Sequence, residues 1–120
     1  MLTQFRKYQG TGNDFVVIDN RDGNVQLGQA RIARICNRKF GIGADGLILL
    51  EYENGLSKMV YYNSDGADSS MCGNGARCFV QFCRTLGLID TEGEFLAVDG
   101  LHEFRIEGDQ IHVKMKDVTD

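Results

Sequence analysis

The sequence contains no proline among its 120 residues, and it has only two histidines. Its turns must therefore be formed by other residues, and fifteen glycines are available for them. No apolar run approaches the roughly 20 residues that a membrane-spanning helix requires. The opening residues, MLTQFRKYQG, lack the apolar core of a signal peptide. We therefore expect a cytoplasmic protein that does not enter a membrane.

Clustered positive charge is also missing. The chain has 13 Lys and Arg against 17 Asp and Glu, a net charge of −4, and its largest basic cluster is the pair Arg38 and Lys39. Nucleic acids and anionic membranes bind clustered positive charge, so both are poor candidate partners. A composition of 42% hydrophobic and 25% charged residues is that of an ordinary globular protein, and the length suits one domain.

The sequence lacks the usual pattern of a zinc site. Its four cysteines form no C-x-x-C pair, and the histidines lie far along the chain. In a reducing cytoplasm we expect four free thiols. We predict no metal site. The cysteines are Cys36, Cys72, Cys78 and Cys83, and the histidines are His102 and His112.

The apolar pattern predicts an α+β fold of at least six strands and two helices. Helices are expected at residues 29–38 and from directly after Cys72 to Leu86, where Gly87 provides a C-terminal cap. Because strands dominate, we expect a mixed, barrel-like sheet around one central helix. The predicted strands are LTQFRKY (2–8), FVVID (15–19), LILLEY (47–52), KMVYYN (58–63), EFLAVD (94–99), LHEFRIE (101–107) and QIHVKM (110–115).

The stretch GIGADG, residues 41–46, matches the G-x-G-x-x-G pattern of dinucleotide-binding loops. Such a loop needs a strand before it and a helix after it, so that the helix N-terminus meets the pyrophosphate. Here the predicted order is reversed. A glycine turn with positive φ angles is therefore the favoured interpretation.

The stretch SSMCGNGARC, residues 69–78, places Cys72 directly before a glycine-rich turn and the most clearly amphipathic helix. The unpaired N–H groups of a helix start stabilise a thiolate and can also hold a carboxylate. Gly73 and Gly75 allow the backbone to approach a ligand, and Asn74 adds a short polar group. We therefore expect cofactor-free thiol chemistry on a small anion at Cys72. An inert cysteine at the helix start is the alternative.

Other polar residues lie at predicted strand ends. Asn13 precedes the second strand and Asn63 ends the fourth, and a carboxamide can bind both a carboxylate and an ammonium group. An Asx turn is the structural alternative for each. We expect Cys36, Cys78 and Cys83 to pack as small apolar residues. Both histidines are expected to be structural.

The ordered motifs GTGNDFVVID, GIGADGL, N-x-D-G and CGNGARC together resemble the diaminopimelate epimerase family across most of residues 5–87. The resemblance implies the N-terminal one of two similar domains, residues 1–120, with the C-terminal domain of the enzyme as its partner. It also implies that LL- and meso-diaminopimelate are interconverted without metal or pyridoxal phosphate. Two cysteines would act on opposite faces of the α-carbon. A homodimer is possible.

By motif position, the resemblance makes Cys72 the first of the two catalytic cysteines. It makes Asn13, Asn63, Gly73 and Asn74 substrate-binding residues. This sequence departs from some members, which carry a substrate-contacting glutamine where Gly46 stands. Two alternatives remain open. One is another cofactor-independent isomerase of the same fold, of the proline-racemase or phenazine-biosynthesis type, and the other is a non-catalytic domain that binds carboxylates.

Overall fold

The structure is a computed structural model that describes residues 5–9, 12–68 and 73–114. The strands of these ranges form one sheet in chain order, with β2–β3 and β4–β5 parallel and the other neighbours antiparallel. The predicted mixed sheet is therefore confirmed. The elements are β1 (Arg6–Gln9), β2 (Asp14–Asp19), α1 (Gln29–Cys36), β3 (Gly46–Glu53), β4 (Leu56–Asn63), α2 (Gly73–Thr85), β5 (Glu92–Ala97), β6 (Gly100–Glu107) and β7 (Gln110–Val113).

Strands β2 and β3 are buried on both faces. Phe15 and Ile48 face the core around α2, whereas Val16 and Leu47 belong to a second core around α1. Successive side chains of a strand point to opposite faces, so a strand covered on both sides reads as an unbroken apolar run. This explains the runs FVVI and LILL in the sequence.

The sheet curls around α2. This helix packs against β2, β3, β4 and β7. In a flat sheet β2 and β7 would lie five strand spacings apart, about 24 Å. That is more than the roughly 10–12 Å diameter of a helix. The strands must therefore wrap around α2, and the expected barrel-like sheet around a central helix is confirmed as a curled half-barrel.

The C-terminal end of α2 is the predicted glycine cap. Gly87 has φ +75°, and its N–H donates to the Arg84 carbonyl (3.0 Å), while the Leu88 N–H donates to the Cys83 carbonyl (3.0 Å). These two bonds form a Schellman motif. Neither helix within the described ranges is long and apolar enough to cross a membrane.

Three of the cysteines pack in the interior, as the sequence predicts. Cys36, Cys78 and Cys83 are buried cysteines. Burial raises the pKa of the Cys83 thiol to about 12, and burial also raises the pKa of Cys36. Neither thiol is suited to form a thiolate at neutral pH.

Several element boundaries differ from the prediction, those of α1 and of the fifth strand among them. Helix α1 ends at Cys36, two residues early, because Asn37 adopts an extended conformation and its Oδ1 accepts the N–H groups of Lys39 (2.8 Å) and Phe40 (2.9 Å). The fifth strand was expected at 94–99 but spans 92–97. Its predicted last two residues, Val98 and Asp99, form the hairpin turn instead.

Both histidines are placed as the sequence predicts, although His102 is more buried than its alternating pattern suggests. It is 2% exposed and stacks on Phe95. Its Nε2 lies 2.6 Å from Asp99 Oδ1, and its Nδ1 lies 3.0 Å from the Lys114 carbonyl oxygen. His112 lies on the exposed face of β7. His102 is therefore a hydrogen-bonded structural residue.

Candidate functional site

Three neighbouring strands meet at one edge of the sheet, here called the site edge. Strands β2 and β3 begin there, and β4 ends there at Asn63. In the sheet register Phe15 pairs with Gly46, and Gly46 pairs with Asn63. Two residues that lie far apart in sequence, Asn13 and Asn63, are therefore brought to the same edge.

The Asn13 carboxamide connects the site edge to the start of α2. Its Nδ2 donates to Asp45 Oδ2 (3.3 Å), and its Oδ1 accepts a hydrogen bond from Asn74 Nδ2 (2.8 Å). Arg77 in turn donates to Asn74 Oδ1. These bonds join Asn13 to distant segments and not to its own turn. The side chain therefore does not act as an Asx turn.

Beside Asn13, the Asp14 carboxylate is buried in a cluster of cations. It accepts two hydrogen bonds from Arg38 (2.8 and 3.2 Å) and pairs with Lys7 Nζ (3.2 Å). Arg38 also pairs with Asp45 (3.1 Å). The Arg38 guanidinium holds the pKa of the Asp14 carboxyl well below its usual range, and Lys7 contributes to the shift. Asp14 is therefore ionised throughout the physiological pH range.

Helix α2 begins at Gly73. Gly73 and Asn74 are half-buried, and a Cβ built on Gly73 meets nothing within 4 Å. The first N–H groups of a helix have no intrahelical acceptor and carry the positive end of its dipole. They can hold a carboxylate. Cys72, the residue before Gly73 in the sequence, lies outside the described residues.

The sequence places Gly46 where some family members carry a glutamine, and the packing explains the glycine. A Cβ at this position would lie 2.6 Å from Tyr61 Cε1 and 2.8 Å from the Tyr62 carbonyl oxygen. The Tyr61 ring, which packs edge-on against Phe15 (5.9 Å between centroids), occupies this space. No side chain fits at Gly46 unless β4 or the Tyr61 ring moves.

A polar cleft of about 390 Å³ opens at the site edge, within the range of small-molecule sites. Within the described ranges, no three His, Cys, Asp or Glu side chains gather as a metal site would require. The residues that line the cleft are Gln9, Gly12, Asn13, Asp14, Arg38 and Asp45.

The structure therefore brings together four of the five predicted site residues. Asn13 and Asn74 are hydrogen-bonded, Gly73 adjoins Asn74, and Asn63 lies at the same edge. Sequence reasoning missed the residues that hold the asparagines in place. They are Lys7 of β1, Arg38 after α1, Asp45 before β3 and Arg77 of α2. Of these four, only Asp45 lies in a motif that the sequence analysis considered, GIGADG.

Comparisons of sequence with known proteins agree on one family. A family model described as diaminopimelate epimerase matches residues 5–119. The diaminopimelate epimerase of Flavobacterium psychrophilum is 53% identical over 120 residues, covering 95% of this chain and 46% of the relative. That of Chlorobaculum tepidum is 44% identical, covering 84% and 40%. A chloroplastic relative from Oryza sativa subsp. japonica is 43% identical, covering 85% and 27%. The chain thus spans less than half the length of these relatives.

Solved structures share the fold at low sequence identity. A phenazine biosynthesis protein of the PhzF family from Enterococcus faecalis has a TM-score of 0.63 at 11% identity, covering 82% of this chain and 36% of that one. Methylitaconate-delta-isomerase also has a TM-score of 0.63 at 11% identity, covering 98% and 38%. These likenesses bear on the fold alone, and they support the predicted fold class.

Proposed function

Because the chain belongs to the diaminopimelate epimerase family, we propose that it is the N-terminal domain of an enzyme that interconverts LL- and meso-diaminopimelate. The observation that carries the proposal is the hydrogen bond between Asn13 and Asn74. It joins the site edge to the start of α2, directly beside the position of Cys72 in the sequence. The motifs of the resemblance therefore meet at one place in the fold.

In this proposal, Asn13, Asn63, Gly73 and Asn74 bind the substrate. The carboxylate at the reacting carbon lies on the N–H groups of the first turn of α2, where Gly73 leaves room for it. The asparagines offer donors to carboxylate oxygens and an acceptor to an ammonium group. Negative charge grows on the carboxylate as the α-proton leaves, so the same N–H groups bind the transition state more strongly than the substrate.

Cys72 is the proposed acid–base residue of this chain. As a thiolate it takes the α-proton, and the electron pair of the C–H bond stays on the α-carbon, delocalised into the carboxylate. A second thiol on the opposite face then delivers a proton to this carbon, which inverts the centre. In the reverse reaction the two thiols exchange roles. No electron transfer occurs, and the proposal requires neither a metal nor a cofactor.

The second thiol belongs, in this proposal, to a C-terminal domain of the same enzyme. A single thiol can remove a proton and return it to the same face, which gives exchange without inversion. The coverage of 46% and 40% of two relatives supports the presence of a second domain. A cytoplasmic location completes the proposal.

The alternatives of the sequence analysis have less support. The sequence relatives at 43–53% identity are epimerases, whereas the phenazine-biosynthesis type is represented at 11–15% identity. A non-catalytic carboxylate-binding domain would not need a reactive thiol at Cys72. A faster alkylation of Cys72 than of the other cysteines would distinguish an epimerase domain from such a binding domain.

A chiral product assay with LL-diaminopimelate tests the proposal. We expect the complete two-domain protein to form meso-diaminopimelate and residues 1–120 alone to form none, because inversion needs a second acid. Absence of product with the complete protein would refute the proposed function. Inversion by residues 1–120 alone would show that a second acid is supplied within this chain or by a dimer mate, and would refute the half-site argument.

A further inference from the structure

We propose that Asp45 is a positioning residue, which holds the Asn13 carboxamide in the one orientation that binds substrate. The inference rests on the proposed function, in which Asn13 contacts the substrate. Neither the sequence motifs nor the comparisons assign a role to Asp45.

A carboxamide needs such a constraint. Its oxygen and nitrogen are nearly equal in size, so a half-turn of the group exchanges donor for acceptor with little change in shape. A substrate carboxylate would then meet an oxygen where it needs an N–H. Asn13 can therefore contribute to binding only if its neighbours distinguish the two orientations.

The neighbours of Asn13 make this distinction. The Asp45 carboxylate can only accept, and it faces Asn13 Nδ2 at 3.3 Å. At the other side, Asn74 Nδ2 can only donate, and it faces Asn13 Oδ1 at 2.8 Å. A half-turn of Asn13 would set oxygen against oxygen and nitrogen against nitrogen. Both bonds would be lost at once.

The chain of bonds has charged groups at both ends. Arg77, whose guanidinium only donates, fixes the oxygen of Asn74 and so directs the Asn74 Nδ2 towards Asn13. Asp45, an obligate acceptor, ends the chain. Donation therefore runs in one direction only, from Arg77 through Asn74 and Asn13 to Asp45.

Asp45 is itself held firmly enough for this role. Its Oδ1 accepts from Arg38 (3.1 Å), its Oδ2 accepts the Asp14 N–H (3.1 Å), and its own N–H donates to Asp14 Oδ1 (3.1 Å). Rotation of the Asp45 carboxylate would break the first two bonds. The ionised Asp14 keeps Arg38 in place, so the cluster remains intact at neutral pH.

The consequence is a binding group that is ordered before the substrate arrives. Asn13 lines the cleft at the site edge. The second hydrogen of its Nδ2 and the second lone pair of its Oδ1 therefore have fixed positions there. Ordering a side chain in advance removes a cost that would otherwise weaken substrate binding.

Asp45→Asn in the complete protein tests the role. The new carboxamide has the same shape but can donate as well as accept, and it loses the charge that pairs with Arg38. We expect KM for diaminopimelate to rise about tenfold, the loss expected for one hydrogen bond of ordinary strength, with a smaller change in kcat. Partial unfolding would lower the apparent kcat but leave KM unchanged. A rise in KM therefore separates positioning from a general loss of structure.

Asp19→Asn is the matched control. Asp19 is the last residue of β2, at the end of that strand opposite to Asn13, and it pairs with Arg21 at 2.6 Å, so the variant also removes a carboxylate from an arginine. We expect its KM to stay at the wild-type value. If Asp45→Asn yields too little folded protein, Arg77→Met is the second variant. It removes the exposed donor at the other end of the series of hydrogen bonds, and the proposal requires that its KM rise as well.

A second measurement does not depend on catalysis. The side-chain amide resonances of Asn13 in ¹⁵N spectra of the complete protein report its hydrogen bonds directly. We expect them to shift in Asp45→Asn and to stay in place in Asp19→Asn. A KM within twofold of wild type, or unmoved Asn13 resonances, would overturn the proposal. A complete protein without epimerase activity would instead refute the proposed function, and the spectra would still decide whether Asp45 orients Asn13.

Discussion

At the scale of single residues, the cysteines lead to the first prediction. Cys36, Cys78 and Cys83 are 1–5% exposed, and burial raises the pKa of the first and the last. Cys72 directly precedes Gly73 in the sequence, and in the proposed function the N–H groups of the helix start favour its thiolate. Since the thiolate is the nucleophile, the four cysteines should differ in their rate of alkylation.

A brief reaction with limiting iodoacetamide near neutral pH tests this difference. We expect Cys72 to be labelled before Cys36, Cys78 and Cys83, and peptide mapping of the folded protein would identify the site. Equal labelling of all four, or preferential labelling of Cys78, would contradict the interpretation of Cys72 as an active thiol.

Gly46 is a residue whose identity the packing dictates. Gly46→Ala would place a methyl group 2.6 Å from Tyr61 Cε1 and 2.8 Å from the Tyr62 carbonyl oxygen. We expect the free energy of unfolding to fall by about 1–3 kcal/mol, the usual cost of overpacking. Urea denaturation measures the loss.

Gly28→Ala serves as the control for Gly46→Ala. Gly28 has φ −79°, and a Cβ there meets nothing within 4 Å. Alanine is a poorer N-cap than glycine, so at this position of α1 it should cost roughly 0.5–1 kcal/mol, less than the overpacking at Gly46. If the two variants had the same free energy of unfolding, the Tyr61 ring and β4 would be able to move aside without loss of stability, which would contradict the overpacking argument.

At the scale of elements, Asp14 joins segments that lie apart in sequence. Lys7 comes from β1, Arg38 follows α1, and Asp45 precedes β3. The pKa of the Asp14 carboxyl is lowered in the folded protein, chiefly by Arg38. The ionised form therefore stabilises the fold at pH values above the usual pKa of an aspartate. This contribution is lost as the pH falls through that value and below it.

Asp14→Asn should show this dependence on pH. At pH 7 we expect its free energy of unfolding to be about 1.5–3 kcal/mol lower than that of the wild type, the range for hydrogen bonds to a charged group. Between pH 5 and pH 3 the difference should shrink, because Asp14 of the unfolded wild type takes up a proton in this range and so stabilises the unfolded state, whereas asparagine does not titrate. Urea midpoints across this range measure both effects, and parallel pH profiles would contradict the role of Asp14.

The elements themselves could largely be predicted from local sequence. Unbroken apolar runs mark β2 and β3, and Gly87 marks the end of α2, because strand burial and the left-handed cap each need specific residue types. The boundary at Asn37 was missed, because its side chain bonds the following backbone and so ends the helix. Local pattern alone did not show that this bond would form.

Across the whole molecule, the site depends on contacts between distant residues. The asparagines could be predicted because they lie at the ends of strands and of a helix. Their supports could not, because Arg38 lies 24 residues from Asp14, Asp45 lies 32 from Asn13, and Asn74 lies 61 from Asn13. Only the parallel pairing of β2 with β3 and the curl of the sheet around α2 bring these residues together.

The central claim is that this chain supplies one of two catalytic thiols through Cys72. The most direct test is kcat in each direction for Cys72→Ser in the complete protein, with circular dichroism to confirm folding. Serine is nearly isosteric, but its hydroxyl is a far weaker acid, so the helix start cannot ionise it near pH 7. Cys78→Ser is the control, and we expect it to act, if at all, through stability.

We expect Cys72→Ser to lose at least about 10²-fold in kcat, the low end of the range for acid–base residues. The loss should appear in both directions, since one residue serves as base one way and as acid the other. Substrate binding through Asn13, Asn63 and the start of α2 should largely remain. A folded Cys72→Ser enzyme that kept more than about a tenth of its turnover would have lost less than any acid–base residue in that range contributes. This result would remove Cys72 from the catalytic role.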